Sequence, residues 1–313
     1  MVDVSVLILN YNTFHLTCAC IQSVYSHTKG LTFEIVLVDN GSTECAPQLF
    51  KETFPDIKLV VSKINLGFAK GNNLGIEHAT GKTILLLNSD TELLNNSISL
   101  AFRRLMESEE VGAVTGKVVT PSGEVQHVAQ RFPSIRLLVL QVSRLILLIP
   151  RSKRESIFLG EYFKYDQEIY PDWIWATFFL IRRETIAVFP EGKLPDYFFM
   201  YEEDKLWGYY LRKAGLKLLF SPLPLVLHRV SGSSADRNIL DRNKVILQNE
   251  FRVITLTKGL YYAKAYFLLK ALQYLSSSYT HAMAVAKQYA TIMLTGSSLD
   301  IPADLPEEQL HII

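Results

Sequence analysis

The stretch Thr83-Ile-Leu-Leu-Leu-Asn-Ser-Asp90 constrains the fold more than any other part of the chain. Its first five residues are β-branched or leucine with no polar alternation, so the run reads as a strand buried on both faces. That is the environment of a central strand in a largely parallel sheet with helices on either side. Such a strand delivers its polar tip to the carboxyl edge of the sheet. Ligands bind at that edge in open α/β folds, and a carboxylate there can hold a divalent cation against phosphate oxygens. Asp90 is therefore the first candidate for chemistry. The same tip also reads as a cap for a following helix, because Ser, Asp and Thr all cap well.

The segments before it have β-α-β rhythm. Val4-Ser-Val-Leu-Ile-Leu9 predicts a first strand, residues 17–26 have helical spacing, and Phe33-Glu-Ile-Val-Leu-Val38 predicts a second strand ending in Asp39-Asn-Gly-Ser-Thr43. A third strand is expected at residues 58–61. It precedes the glycine- and asparagine-rich segment Asn65-Leu-Gly-Phe-Ala-Lys-Gly-Asn-Asn-Leu-Gly75, after which a helix leads into the Thr83 strand. No strand is followed by GxGxxG or GxxxxGK[ST], which argues against dinucleotide-binding and P-loop folds.

Bulk properties narrow the partners. A formal net charge of +1 over 313 residues leaves no global field for nucleic acid. Cys18, Cys20 and Cys45 form no CxxC pair, which suits a reducing cytoplasm. The first apolar run is short and lacks a basic flank, so it reads as a strand, not a signal peptide. The most apolar later stretch, residues 137–149, is too short to span a bilayer and is interrupted by Gln141, Ser143 and Arg144.

Four segments in order, residues 4–12, Asp39-Asn-Gly-Ser42, Asn65-x-Gly-x-x-x-Gly-Asn-Asn-x-Gly75 and Asn88-Ser-Asp90, resemble the donor-binding half of family 2 glycosyltransferases. The resemblance implies a GT-A fold: an α/β, Rossmann-like, mixed and mostly parallel sheet flanked by helices. It also implies a nucleotide-diphosphate sugar, with dTDP or UDP as carrier, and a divalent cation, Mg²⁺ or Mn²⁺. In that frame Tyr11 offers a ring to the nucleobase, Asp39 accepts its imide N–H, and Asn12, Asn65, Asn72 and Asn73 fix base, ribose or loop. Gly67 and Gly71 would let the backbone approach the ligand, and Lys70 reads as a phosphate contact or a solvated lysine. Where the family often has Asp-x-Asp this chain has Asn88-Ser-Asp90, a variant of members resembling bacterial rhamnosyltransferases. The loss of one carboxylate leaves Asp90 with most of the metal or ribose-phosphate contact.

The same resemblance extends into the second half. Residues 112–123 predict a strand and a Pro-Ser-Gly turn. Tyr170-Pro-Asp-Trp-Ile-Trp-Ala-Thr-Phe-Phe-Leu-Ile-Arg-Arg183 is similar to the family's strand that enters the acceptor side and carries Trp173 and Trp175, with Trp175 implied as a sugar platform. Pro195-Asp-Tyr-Phe-Phe-Met-Tyr-Glu-Glu-Asp204 is similar to the family's acidic block at a helix start, which implies Asp204 as catalytic base, Glu203 as its rival and Glu202 on the acceptor side. These acids also suit a helix N-terminus on electrostatic grounds alone. Leu206 stands where many relatives carry a further Asp. Pro224-Leu-Val-Leu-His228 resembles the family's strand closing on a histidine, which implies His228 as second metal ligand beside Asp90, followed by Ser231-Gly-Ser-Ser234.

The leucine-rich segment 137–154, flanked by Arg136, Arg144, Arg151, Lys153 and Arg154, reads as a basic amphipathic helix, either at a membrane interface or packed in a core or dimer. Residues 258–275 predict a helix with Tyr, Phe and Leu on one face, and residues 299–313 a mobile terminus. Expected boundaries are a catalytic domain at 1–235, split near 110 into donor and acceptor halves, and a helical extension at 236–313. The whole reads as an inverting glycosyltransferase at the cytoplasmic face of a membrane. It would transfer a sugar such as rhamnose to a saccharide or lipid-linked acceptor in surface polysaccharide synthesis. The competing readings are a sugar-nucleotide nucleotidylyltransferase, which needs a basic glycine-rich loop after strand one that Leu9-Asn-Tyr-Asn-Thr13 lacks, and a non-catalytic membrane scaffold.

Overall fold

The computed structural model describes residues 2–229, 239–275, 277 and 281–296. The Ser231–Ser234 motif and the terminus beyond 296 lie outside them. The chain divides into two compact units, residues 1–130 with 164–235, and residues 131–163 with 236–313.

The first unit is built on strands β1 (Val4–Asn10), β2 (Phe33–Asn40), β3 (Lys58–Ser62), β4 (Thr83–Asn88), β5 (Thr91–Leu93) and β6 (Val111–Val119). A short pair, β7 (Ala129–Gln130) and β8 (Trp173–Ile174), precedes β9 (Phe178–Arg182) and β10 (Lys217–His228). Eight of these strands form one sheet in the order β3-β2-β1-β4-β9-β6-β10-β5. β1 pairs in parallel with β2 and β4, β2 with β3 and β6 with β10, while β9 and β5 run antiparallel to their neighbours. The mixed, mostly parallel sheet is therefore the expected one. Leu7, Val36, Ile84 and Leu86 join one core cluster with Trp207 and Leu211, and the alternate residues Val6, Ile8, Leu37, Leu85 and Leu87 are buried on the other face. Both faces need cover, which the helices α1 (Phe14–His27), α2 (Gln48–Thr53), α3 (Phe68–His78) and α4 (Ser97–Met106) help supply.

Three local expectations fail here for identifiable reasons. The glycine- and asparagine-rich segment is mostly helix, since α3 starts at Phe68 and contains Gly71, Asn72, Asn73 and Gly75. A Cβ on Gly71 would fall 2.6 Å from Leu9, and one on Gly75 would fall 3.0 Å from Val38. These glycines let α3 lie close on the sheet. The tryptophan-bearing strand breaks between β8 and β9, because the backbone of Trp175, Ala176 and Thr177 hydrogen-bonds to other partners. In turn, the two strands expected at 215–220 and 224–228 are one bulged strand. Its register shifts between Phe220 and Leu225, around the two prolines, which cannot donate to a ladder.

The second unit holds α5 (Ile135–Val142), α6 (Arg151–Phe158) and, after α7 (Glu203–Lys213) of the first unit, α8 (Ile239–Lys258), α9 (Leu260–Leu275) and α10 (Ala282–Thr295). Its core joins Leu138 of α5 to Phe251 of α8, Phe267 of α9 and Tyr289 of α10. The single amphipathic helix expected at 137–154 is instead α5, a 3₁₀ turn over Leu145–Leu148 and α6. Arg144 turns left-handed at φ 59° and Pro150 prevents Ile149 from continuing a helix. Likewise Gly259, at φ 87°, divides the helix expected at 258–275 after its first residue, and α9 is apolar on more than one face.

Candidate active site

The parallel strands β1, β2, β4, β6 and β10 all end at one edge of the sheet, and this edge collects most of the residues singled out above. In register, Asn10 stands beside Asp39 and Leu9 beside Asn88, while Leu227, next to His228, stands beside Val119.

Asn10 organises the β1 end. It is buried and donates through Nδ2 to Asp39 Oδ1 (2.8 Å) and Ser42 Oγ (2.9 Å), while its Oδ1 accepts from Thr13 (3.0 Å) and Thr17 (2.8 Å). Asp39 is buried and also accepts from the Ser42 backbone at 3.3 Å. Each carboxylate oxygen keeps a further lone pair for a ligand. Tyr11, the residue after the end of β1, is half-buried. Asn12 is exposed and left-handed at φ 52°, a conformation asparagine tolerates, and it ties the two loops together. Its N–H donates to Ser42 Oγ (3.1 Å) and its Oδ1 accepts from the Thr43 N–H (2.8 Å).

The next loop is shaped by Asn40, which the sequence reading missed. Its Nδ2 donates to Asn65 Oδ1 (3.0 Å) and to the Gly67 carbonyl (3.2 Å), and its Oδ1 accepts from the Leu66 N–H (2.9 Å). Asn65 thus shapes the loop, accepting also from the Gly67 N–H at 2.9 Å. Gly67 is required here, since its φ is 81° and a Cβ would lie 2.3 Å from the Phe199 carbonyl. Asn72 is buried and donates to the Phe68 carbonyl (2.9 Å). Asn73 clamps Leu194, donating to its carbonyl (2.9 Å) and accepting from its N–H (3.0 Å). Both asparagines therefore hydrogen-bond to backbone groups. Lys70 sits half-buried in the first turn of α3.

At the β4 tip, Asp90 Oδ1 lies 3.2 Å from His228 Nε2, and both side chains are largely buried. His228 Nδ1 is 2.8 Å from Gln126 Oε1, a partner 102 residues away that no sequence signal indicated. The Asp90 carbonyl accepts from the Arg229 N–H (3.0 Å), so backbone and side chain join the same two segments. Among the described residues no group of three His, Cys, Asp or Glu side chains could hold a metal. One carboxylate with one imidazole nevertheless suits Mg²⁺ or Mn²⁺, which such sites bind through one or two protein groups while substrate phosphates supply the rest.

The Trp175–Thr177 stretch connects this tip to the acidic block. The Asn88 N–H donates to the Thr177 carbonyl (3.1 Å), the Ala176 N–H donates to Asp204 Oδ2 (3.3 Å), and the half-buried Trp175 donates from its backbone to Val128 (3.0 Å). Asp204, the second residue of α7, also accepts from the Lys205 N–H at 2.9 Å. Burial pushes its carboxyl up to about 6, against a smaller lowering by the Lys205 ammonium. Glu203 differs. It is buried, its Oε1 has no hydrogen-bond partner among the described residues, and burial raises its carboxyl well above the usual range. Glu202 ion-pairs with the buried Lys205, whose ammonium lies 5.0 Å from the centre of the Trp173 ring. Tyr201 and Glu202 are successive left-handed residues at φ 75° and 74°, a strained turn that aims the start of α7.

A mixed, mostly parallel sheet flanked by helices, with polar side chains gathered at its carboxyl edge, is the architecture of a GT-A fold. Two solved structures agree on the fold. GalNAc-T7 with UDP, GalNAc and Mn²⁺ aligns with a TM-score of 0.59 at 15% identity, over 93% of this chain and 54% of that one. The Pyrobaculum calidifontis mannosyltransferase PcManGT with GDP-Man and Mn²⁺ aligns with a TM-score of 0.56 at 18% identity, over 96% and 79%. The chain belongs to glycosyl transferase family 2, whose model matches residues 5–184. An uncharacterised glycosyltransferase of Rickettsia bellii is 35% identical over 106 residues, 34% of this chain but only 15% of that protein's length. The N-acetylglucosaminyl-diphospho-decaprenol L-rhamnosyltransferase of Mycobacterium tuberculosis is 25% identical over 213 residues, 64% of this chain and 67% of that protein.

Proposed function

We propose that this glycosyltransferase moves a sugar, rhamnose by its likeness to the mycobacterial enzyme, from a dTDP- or UDP-linked donor to a saccharide or lipid-linked acceptor, with inversion, in surface polysaccharide synthesis. The observation that carries this reading is the bridge at Trp175–Thr177. One end fastens the donor-side tip through Asn88, and the other fastens the Asp204 carboxylate through Ala176. A carboxylate and a cation-binding tip on either side of one short segment suit direct displacement at an anomeric carbon.

In this mechanism Tyr11 and Asp39 hold the nucleobase, and Asn10, through its bonds to Asp39 and Ser42, presets that pocket. Asp90 and His228 would hold a divalent cation, which would offset negative charge on the departing diphosphate. Trp175 carries the sugar or acceptor ring. Asp204 takes the acceptor hydroxyl proton as the new C–O bond forms and the anomeric carbon–phosphate oxygen bond breaks, so the products are the glycoside and the nucleoside diphosphate. Burial raises the Glu203 carboxyl well above the usual range and disfavours its ionised form, so the base role falls to Asp204. A donor screen read by nucleoside diphosphate release tests the assignment. Release from a dTDP- or UDP-sugar that rises with acceptor supports it, and silence with every donor across acceptor classes rejects it.

We place the acceptor at an anionic bilayer, supported by residues 137–154. The 3₁₀ turn leaves Leu147 64% and Leu148 79% exposed, next to the basic residues Arg144, Arg151 and Lys153. Among the described residues no helix is long and apolar enough to cross a membrane, and an exposed leucine pair beside basic residues suits an interfacial contact. The protein should sediment with phosphatidylglycerol vesicles and not with phosphatidylcholine vesicles, and Leu147→Ser with Leu148→Ser should remain in the supernatant. Equal partitioning onto both lipids removes the electrostatic part of the argument.

A further inference from the structure

α9 packs into the core of the second unit through Ala263, Tyr266, Phe267 and Ala271. Its opposite side carries Tyr261, Ala265, Leu268, Leu272 and Leu275, all exposed, with Leu268 at 46%, Leu272 at 50% and Leu275 at 56%. The spacing between these five is four, three, four and three residues. That is the alternation of a and d positions in a heptad repeat, with Ala265 and Leu272 at a and Tyr261, Leu268 and Leu275 at d. On this assignment Tyr266, Phe267 and Tyr274, which face the core cluster, take b and c positions, on the far side from the seam. One helix therefore presents two apolar faces, of which its own unit covers one.

We propose that the Tyr261–Leu275 seam of α9 is a self-association surface, and that its occupant is α9 of a second copy of this chain. A stripe repeating every 3.5 residues stays in line with another helix inclined by about 20°, whereas a bilayer surface imposes no such narrow seam and favours flanking cations. The exposed apolar turn at Leu147 and Leu148 has such cations. The α9 seam has none at its a or d positions. Lys264, at a g position, is the one charged residue flanking the seam within the repeat, and self-pairing does not set it against its own copy. In a parallel pair it faces the e position of Leu269, and in an antiparallel pair the g position of Ala271. Ala265, exposed at an a position, is small and lets the two helices approach. Two heptads on an isolated peptide would be marginal, but α9 is already held helical by α8 and α10, so pairing requires little new order.

Sedimentation velocity of the full chain in detergent-free buffer, from about 1 to about 100 μM, decides the point. The expected result is a concentration-dependent shift from 35.6 kDa to twice that mass. Leu268→Glu combined with Leu272→Glu should weaken dimerisation at least about 100-fold while leaving the circular dichroism spectrum and the thermal midpoint at wild-type values. A wild-type chain that stays monomeric throughout overturns the proposal, as does a folded double variant that still dimerises. If the double variant fails to fold, Leu268→Cys replaces it. Leu268 sits mid-seam and meets its own copy in either orientation, so mild oxidation should yield a disulfide-linked dimer above the background of the three native cysteines. No excess over that background is again a refutation.

Discussion

Asp204→Asn is expected to lower kcat by roughly 10²- to 10⁴-fold, the contribution of a well-positioned general base, while leaving donor affinity unchanged. The isostere keeps an acceptor for the Lys205 or Ala176 N–H and loses only basicity. Wild-type turnover should rise with pH through about 6, where burial places the Asp204 carboxyl, because the base works ionised. The Asn variant should lose that limb. Stability moves the other way. A carboxyl raised from 3.8 to about 6 on folding is bound more tightly to its proton in the native state. Its stabilising contribution is therefore complete below the unfolded value of 3.8 and is lost as pH rises through about 6. Asp204→Asn should accordingly melt above wild type at pH 8, and the gap should shrink towards pH 5. Glu203→Gln should turn over near the wild-type rate, since burial raises the Glu203 carboxyl well above the usual range and disfavours its ionised form. A dead Glu203→Gln beside an active Asp204→Asn would exchange their roles, and a product retaining anomeric configuration would remove direct displacement from consideration.

Asp90→Ala should reduce transfer by about 10³-fold or more, the scale of losing one preorganised contact to charge that develops in the transition state. The substitution is informative because it spares the fold at that point. The Asp90 carbonyl retains its bond from the Arg229 N–H, and the His228 imidazole retains Gln126. The residual rate should respond little to Mn²⁺ concentration, whereas the wild type should require a divalent cation, and nucleotide binding should lose its dependence on Mn²⁺. Wild-type turnover with unchanged metal response in the variant would reduce Asp90 to a turn residue. His228→Ala should give a smaller loss and raise the Mn²⁺ concentration needed for half-maximal rate, since the carboxylate carries the charge.

How far these roles were readable from the chain depends on the range of the interactions. Strand β4 and its tip were legible because a five-residue apolar run without alternation has few places to go other than the middle of a covered sheet. Asp39, Asp90 and Asp204 were legible because each ends or begins an element whose type the local pattern already indicates. Local pattern misled where one residue type serves two purposes. The glycines and asparagines of 65–75 resemble a ligand loop, yet Gly71 and Gly75 give α3 its close approach to β1 and β2, and Asn72 and Asn73 satisfy backbone groups. Helical periodicity over 137–154 was similarly overridden by Arg144 and Pro150.

The sequence by itself determined the class of fold, the order of its elements and which carboxylates stand at their ends, because apolar periodicity and chain-end chemistry act over a few residues. The tertiary structure alone decided that Gln126 orients His228, that Asn10 and Asn40 lock the loops around Asp39, and that Ala176 and Thr177 hold Asp204 and Asn88 from one segment. It also set two adjacent acids apart, raising the Asp204 carboxyl to about 6 and the Glu203 carboxyl well above the usual range, both by burial. Those outcomes depend on desolvation and on hydrogen bonds between residues as many as 102 positions apart, and such terms exist only once the sheet has brought the strand ends together.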